Sequence, residues 1–142
     1  MKTARQLLAG KPAGVVSVAP ESSVYDALVL MAEKNVGALV VLEGHKLVGI
    51  FSERDYARKV ILLGKSSKEM PVRDIMTHKV ICVTPAQKVD ECMELMTEKR
   101  CRHLPVVEDK HVIGMLSIGD LVKEIISEQQ STITQLESYI RS

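Results

Sequence analysis

The chain repeats itself. Slid forward by 65 positions, residues 15–56 fall on residues 80–121 without a gap. Of the 42 aligned pairs 14 are identical, among them Val15/Val80, Pro20/Pro85, Met31/Met96, Gly49/Gly114, Ser52/Ser117 and Asp55/Asp120. Chance gives about three at ordinary residue frequencies. Such a duplication restricts the fold to two similar units. One short unit buries little apolar area alone, so two copies are expected to share a core.

Each copy carries the same local signals in the same order. Residues 15–18 and 80–83 are β-branched runs, each followed two positions on by a proline, and read as first strands. Val24, Ala27, Leu28 and Met31, matched by Val89, Cys92, Met93 and Met96, recur at i, i+3, i+4, i+7, one face of a helix. Residues 39–42 and 47–51 predict a hairpin around Glu43, Gly44 and His45; residues 104–107 and 112–116 predict its counterpart around Glu108, Asp109 and Lys110. A second helix opens at Ser52 in one copy and Ser117 in the other. Residues 4–8 and 72–76 read as short helical lead-ins, and the first copy has three extra residues, Pro12, Ala13 and Gly14. Gly64 reads as a helix C-cap. The predicted organisation is a first repeat over 1–64, a linker over 65–71, a second repeat over 72–126 and a helical extension over 127–142.

The final helix is predicted from Ile118 to about residue 140. Within it Ile126, Ile133 and Ile140 lie seven apart with Gln129 and Leu136 between them, two heptads of an a/d seam. That is too short to pair alone. Packing on the module and extending a dimer interface are both open.

Composition narrows the function. Aromatic residues are 3% with no Trp and one Phe, so the core is aliphatic and a planar ligand has to lie between aliphatic side chains. A net charge of +1 argues against a duplex-binding surface. No apolar stretch reaches the roughly 18 residues of a membrane span. Residues 1–10 lack the apolar stretch of a signal peptide. The expectation is a cytoplasmic protein with neither nucleic acid nor membrane as partner. Cys82, Cys92 and Cys101 are odd in number and lack C-x-x-C spacing; they read as buried, reduced small hydrophobes, with no metal and no disulfide. There is no G-x-G-x-x-G, Walker loop, H-E-x-x-H or nucleophile–base set, so no catalytic residue and no catalytic cofactor is assigned.

Residues Gly49-Ile50-Phe51-Ser52-Glu53-Arg54-Asp55 and Gly114-Met115-Leu116-Ser117-Ile118-Gly119-Asp120 resemble the CBS-domain signature Gly-h-h-(Ser/Thr)-x-x-Asp, where h is hydrophobic. Arg102-His103-Leu104-Pro105-Val106-Val107 resembles that family's second-strand motif. The likeness spans residues 4–126, and two signatures at one phase of an ungapped repeat are more specific than one. The chain is similar to a tandem CBS pair, or Bateman module, of the stand-alone bacterial type. The resemblance implies an α/β fold of the α+β kind: two β-α-β-β-α CBS repeats packed with pseudo-two-fold symmetry, plus an extended C-terminal helix. It also implies a regulatory, signal-transducing module without catalysis. Such a module binds an adenine nucleotide (AMP, ADP, ATP or NAD) in clefts between the repeats, forms a disc-like homodimer and is read by an unknown downstream protein.

The Ser-x-x-Asp pairs have two readings. Ser followed by an acid at a helix start is a capping box. The same helix N-terminus offers amide donors and a positive dipole end to phosphate, and the resemblance implies a Ser that donates to phosphate and an Asp that accepts from ribose hydroxyls. Arg54 is wrong-ended for the helix dipole, which fits a phosphate contact. The nucleotide-binding residues expected in the first cleft are Val15, Val16, Ser17, Ala38, Ser52, Arg54 and Asp55. Those in the second are Lys79, Val80, Cys82, Arg102, His103, Leu104, Pro105, Ser117 and Asp120. The copies differ at Gly37/Arg102, Ala38/His103 and Arg54/Gly119, so the clefts are expected to be unequal. The alternative is an interaction or dimerisation module with vestigial clefts.

Overall fold

The computed structural model describes residues 1–141; Ser142, the end of the expected extension, lies outside them. In chain order the elements are α1 (Ala4–Ala9), β1 (Ser17–Val18), α2 (Val24–Lys34), β2 (Ala38–Glu43), β3 (Lys46–Ser52), α3 (Glu53–Tyr56), a π turn (Ala57–Ile61), a 3-10 turn (Val72–Asp74), α4 (Val89–Lys99), β4 (His103–Glu108), β5 (His111–Ser117) and α5 (Ile118–Arg141). The chain divides into two compact units. One holds residues 14–81 and 109–112; the other holds residues 1–13, 82–108 and 113 onward.

In the first of these units β2 is the central strand. It runs parallel to β1, with Ser17 opposite Val40, and antiparallel to β3, with Ala38 opposite Ser52. Val41 faces Gly49 but Leu42 faces Leu47, so Val48 is an extra residue in the ladder. Ser23 caps α2 by accepting from the Asp26 amide at 3.0 Å, and Asn35 ends the helix in the left-handed region at φ 53°. The apolar stripe of the helix, Val24, Ala27 and Met31, packs with Leu39, Val41, Phe51 and Val60. The helix opened by Ser52 loosens into the π turn after four residues and stops before Gly64, at φ +67°.

The second unit repeats this plan. Val89, Cys92 and Met96 of α4, Leu104 and Val106 of β4, Leu116 of β5 and Leu121 of α5 are buried. Arg100, at φ 54°, ends α4 where Asn35 ends α2. Asp109 and Lys110 both have positive φ, which a two-residue hairpin turn with the twist of its strands requires.

The first strands are shorter than expected. In place of residues 15–18 only Ser17–Val18 form a strand, and residues 80–83 form none: Val83 makes a single parallel bridge to Val106. Pro105 explains the loss. In the first copy the Val40 amide donates to the Val16 carbonyl at 3.4 Å. Pro105 stands at the Val40 position and has no amide hydrogen. What survives is the Val83 amide to the Pro105 carbonyl at 3.0 Å and the Val107 amide to the Val83 carbonyl at 2.9 Å. The cysteine expectation changes with it. Cys92 is buried, but Cys82, outside any strand, is exposed and Cys101 is half-buried.

Each lead-in packs in the unit that holds the other copy's sheet. In the unit of residues 14–81, Val72 and Arg73 donate to the carbonyls of Ser22 (2.8 Å) and Pro20 (3.0 Å), and Val24 donates to Met70 (2.8 Å). In the other unit Ala4 and Arg5 donate to Gln87 (2.8 Å) and Pro85 (3.0 Å), and Val89 donates to Lys2 (3.0 Å). The two sets correspond residue for residue. Each supplies an acceptor to the otherwise orphaned first amide of α2 or α4. The side chains follow suit: Met76 presses on Gly49 and Leu8 on Gly114, where a Cβ would come within 2.5 and 2.6 Å of them. A Cβ at Gly49 would also lie 3.1 Å from the Thr77 carbonyl oxygen, whereas at Gly114 it would meet only the flexible tip of Leu8.

Gly49→Ala should therefore lower unfolding stability by about 1–3 kcal/mol, and Gly114→Ala by less. Urea denaturation of both variants checks the order. Equal losses, or none, would mean that the lead-ins do not pack as described.

Candidate functional site

Both signature segments lie where a strand hands over to a helix. β3 ends at Ser52 and α3 begins at Glu53, whose amide donates to the Gly37 carbonyl at 3.1 Å. β5 ends at Ser117 and α5 begins at Ile118, whose amide donates to the Arg102 carbonyl at 2.8 Å. These equivalent bonds pin each helix start to the beginning of the neighbouring strand. Ala38 and His103 are thereby set beside the two corners.

Within each corner Ser and Asp cap one another. The Asp55 amide donates to Ser52 Oγ at 3.2 Å, and Asp55 Oδ2 accepts from the Ser52 amide and hydroxyl, both at 3.1 Å. The Asp120 amide donates to Ser117 Oγ at 3.2 Å, and Asp120 Oδ2 accepts from the Ser117 amide at 2.8 Å. The capping reading of the sequence is thus realised in both copies.

The remaining partners differ. Asp55 is 9% exposed, and its Oδ1 accepts from Thr77 Oγ1 at 3.2 Å and lies 3.3 Å from Lys59 Nζ. Asp120 is less enclosed. Its Oδ2 accepts from Lys11 Nζ at 2.7 Å, and Lys11 also donates to the Met115 carbonyl at 2.9 Å. Burial pushes the Asp120 carboxyl up. The hydrogen bond from Lys11, the Ser117 amide, the charge of Lys11 and the Ser117 hydroxyl together outweigh it, and the carboxyl sits below its ordinary value.

The other expected residues are placed as follows. Val15, Val16 and Ser17 are half-buried on the run that enters β1, and Ala38 is buried beside Ser52. Arg54 is exposed, and its guanidinium has no carboxylate partner among the described residues. Arg102 is likewise exposed and without an ion pair among them; His103 is half-buried at the start of β4, followed by buried Leu104 and Pro105. Cys82 is exposed. Lys79 and Val80 belong to the compact unit of residues 14–81, apart from the rest of the second set. Sequence reasoning missed Lys59, Thr77 and Lys11. Lys59 had a signal, being four residues after Asp55 on the same helical face. Thr77 and Lys11 had none, because both precede the matched segments of the repeat.

The CBS domain family model matches residues 13–61 and 72–127. The Arabidopsis thaliana mitochondrial CBS domain-containing protein CBSX3 is 49% identical over 126 residues, which are 85% of this chain and 61% of that protein; the chain thus spans about three fifths of that relative. A solved Burkholderia ambifaria protein with CBS domains is 52% identical, with a TM-score of 0.86, over 90% of this chain and 96% of that one. The CBS domain pair of protein MJ0100, solved in complex with 5-methylthioadenosine and S-adenosyl-L-methionine, shares the fold: TM-score 0.79, 23% identity, 90% of this chain and 98% of that one.

A carboxylate held below its ordinary pKa adds stability above its unfolded value, and loses it as pH falls through the folded one. Wild type should exceed Asp120→Asn in urea midpoint by a constant margin from pH 7 to about 5, shrinking below about pH 4. Lys11 is partly exposed, so solvent screening holds the ion-pair share to under about 1 kcal/mol. A margin that persists unchanged at the acid end would contradict the ion pair.

Proposed function

The chain belongs to the CBS-domain family, and we propose on that premise that it is a non-catalytic sensor. Its ligand is an adenine nucleotide or a related adenosyl compound (AMP, ADP, ATP, NAD or S-adenosylmethionine), bound at the Ser-x-x-Asp corners. The protein works as a homodimer in the cytoplasm and signals to a downstream protein. The observation that carries this reading is the pairing, in both copies, of a helix N-terminus with a carboxylate and with a nearby arginine that has no acidic partner. The positive end of the helix dipole and the arginine suit phosphate, and the carboxylate suits a sugar diol. The complex of the MJ0100 pair with two adenosyl ligands supports the ligand class.

The corners are unequal, so the two sites differ in affinity. A sugar at Asp55 has to displace Thr77 or Lys59 from a nearly closed carboxylate; at Asp120 it competes with Lys11 alone. A second reading follows from that saturation: the acids serve only as caps, and the chain acts through surfaces elsewhere.

Thermal unfolding with AMP, ATP, NAD and S-adenosylmethionine separates the two. A ligand at about 100 times its Kd adds about 2.7 kcal/mol, a shift of a few degrees for a chain of this size. Asp120→Ala should abolish that shift at its own site while the fold persists. Unchanged affinity per folded molecule in both Asp55→Ala and Asp120→Ala would leave capping as their whole role.

A further inference from the structure

The helix α5 has 24 residues, about 36 Å at the usual rise. Every residue from 131 to 141 is exposed. Along one stripe the exposed apolar side chains are Val122 (42%), Ile126 (61%), Ile133 (47%), Leu136 (57%) and Ile140 (80%). Together with Gln129 they alternate at four and three residues, the a/d seam of a two-stranded coil. A stretch of that length is marginal in water without something to pack on.

We infer that α5 pairs in antiparallel fashion with α5 of a second copy, about a two-fold axis near Ser131. Antiparallel pairing sets Ile126 against Leu136 of the second copy, Ile133 against Gln129 and Ile140 against Val122, so that the whole stripe is covered. Charge decides the direction. Lys123, Gln130 and Glu137 lie seven apart along one flank of the seam. About this axis Lys123 of each copy meets Glu137 of the other, and Gln130 meets itself, giving two opposite-charge pairs. Parallel pairing sets Lys123 level with Lys123 and Glu137 level with Glu137, and makes neither pair. The inference rests on the self-association proposed above and adds its surface and direction; ligand binding at the corners is independent of it.

The test is sedimentation equilibrium of the full chain and its variants, with far-UV circular dichroism to check that each is folded. The expected wild-type mass is that of two chains. Ile133→Asp, on an exposed position, should raise the dissociation constant at least tenfold. Lys123→Glu and Glu137→Lys should each weaken association severalfold, and the two together should restore it to within about twofold of wild type. A wild-type dimer that Ile133→Asp leaves intact would overturn the helix surface while self-association stands. A single-chain mass at every concentration would overturn both. A double reversal no tighter than the weaker single variant would overturn the antiparallel direction.

Discussion

Three backbone hydrogen bonds, made twice over, hold each lead-in against the loop that precedes the helix of the opposite copy. Val72, Arg73 and Val24 make one set; Ala4, Arg5 and Val89 make the other. The amide at the start of a helix has no partner within the helix, and leaving it dry and unbonded costs free energy. The carbonyls of Met70 and Lys2 fill that need in chemically identical ways. Much else depends on this docking. It seats Met76 and Leu8 against the two glycines of the hairpins, and it brings Thr77 and Lys11 within reach of the two corner carboxylates.

The corners show why one sequence pattern admits two jobs. A serine and an acid three residues apart satisfy the amides at a helix start, and those same amides and the dipole behind them suit an anion. The reciprocal amide caps are made in both copies, but the other contacts of the two carboxylates differ. Asp55 is enclosed by Thr77 and Lys59, whereas Asp120 is held by a single lysine that follows α1 and keeps more access to solvent. The Ser and Asp that the two copies share are thus set apart by the different neighbours that reach them.

The copies also diverged at one backbone atom. Pro105, where the first copy has Val40, removes a ladder donor and reduces the first strand of the second copy to a bridge. Cys82 in this segment is exposed, although its pattern of neighbours reads as strand. The tail departs furthest. α5 runs unbroken where the first copy's equivalent helix loosens into a π turn after four residues, and it carries an apolar stripe out beyond the buried part of its unit.

The sequence alone determined the two-fold duplication, the hairpins, the apolar faces of the longer helices and the Ser-x-x-Asp corners. All of these are set by local chemistry: apolar period, β-branching, turn residues and capping pairs act within a few positions of one another. The helix at residues 24–34, its twin at 89–99 and the long helix from 118 were legible for that reason. Only the tertiary structure decided which unit receives each lead-in, that Lys11 and Thr77 reach carboxylates 109 and 22 residues away, and that a proline deletes a strand. These outcomes depend on which amide finds which carbonyl across long stretches of chain. No periodicity records that choice, because it is made by the competition for partners once the elements pack.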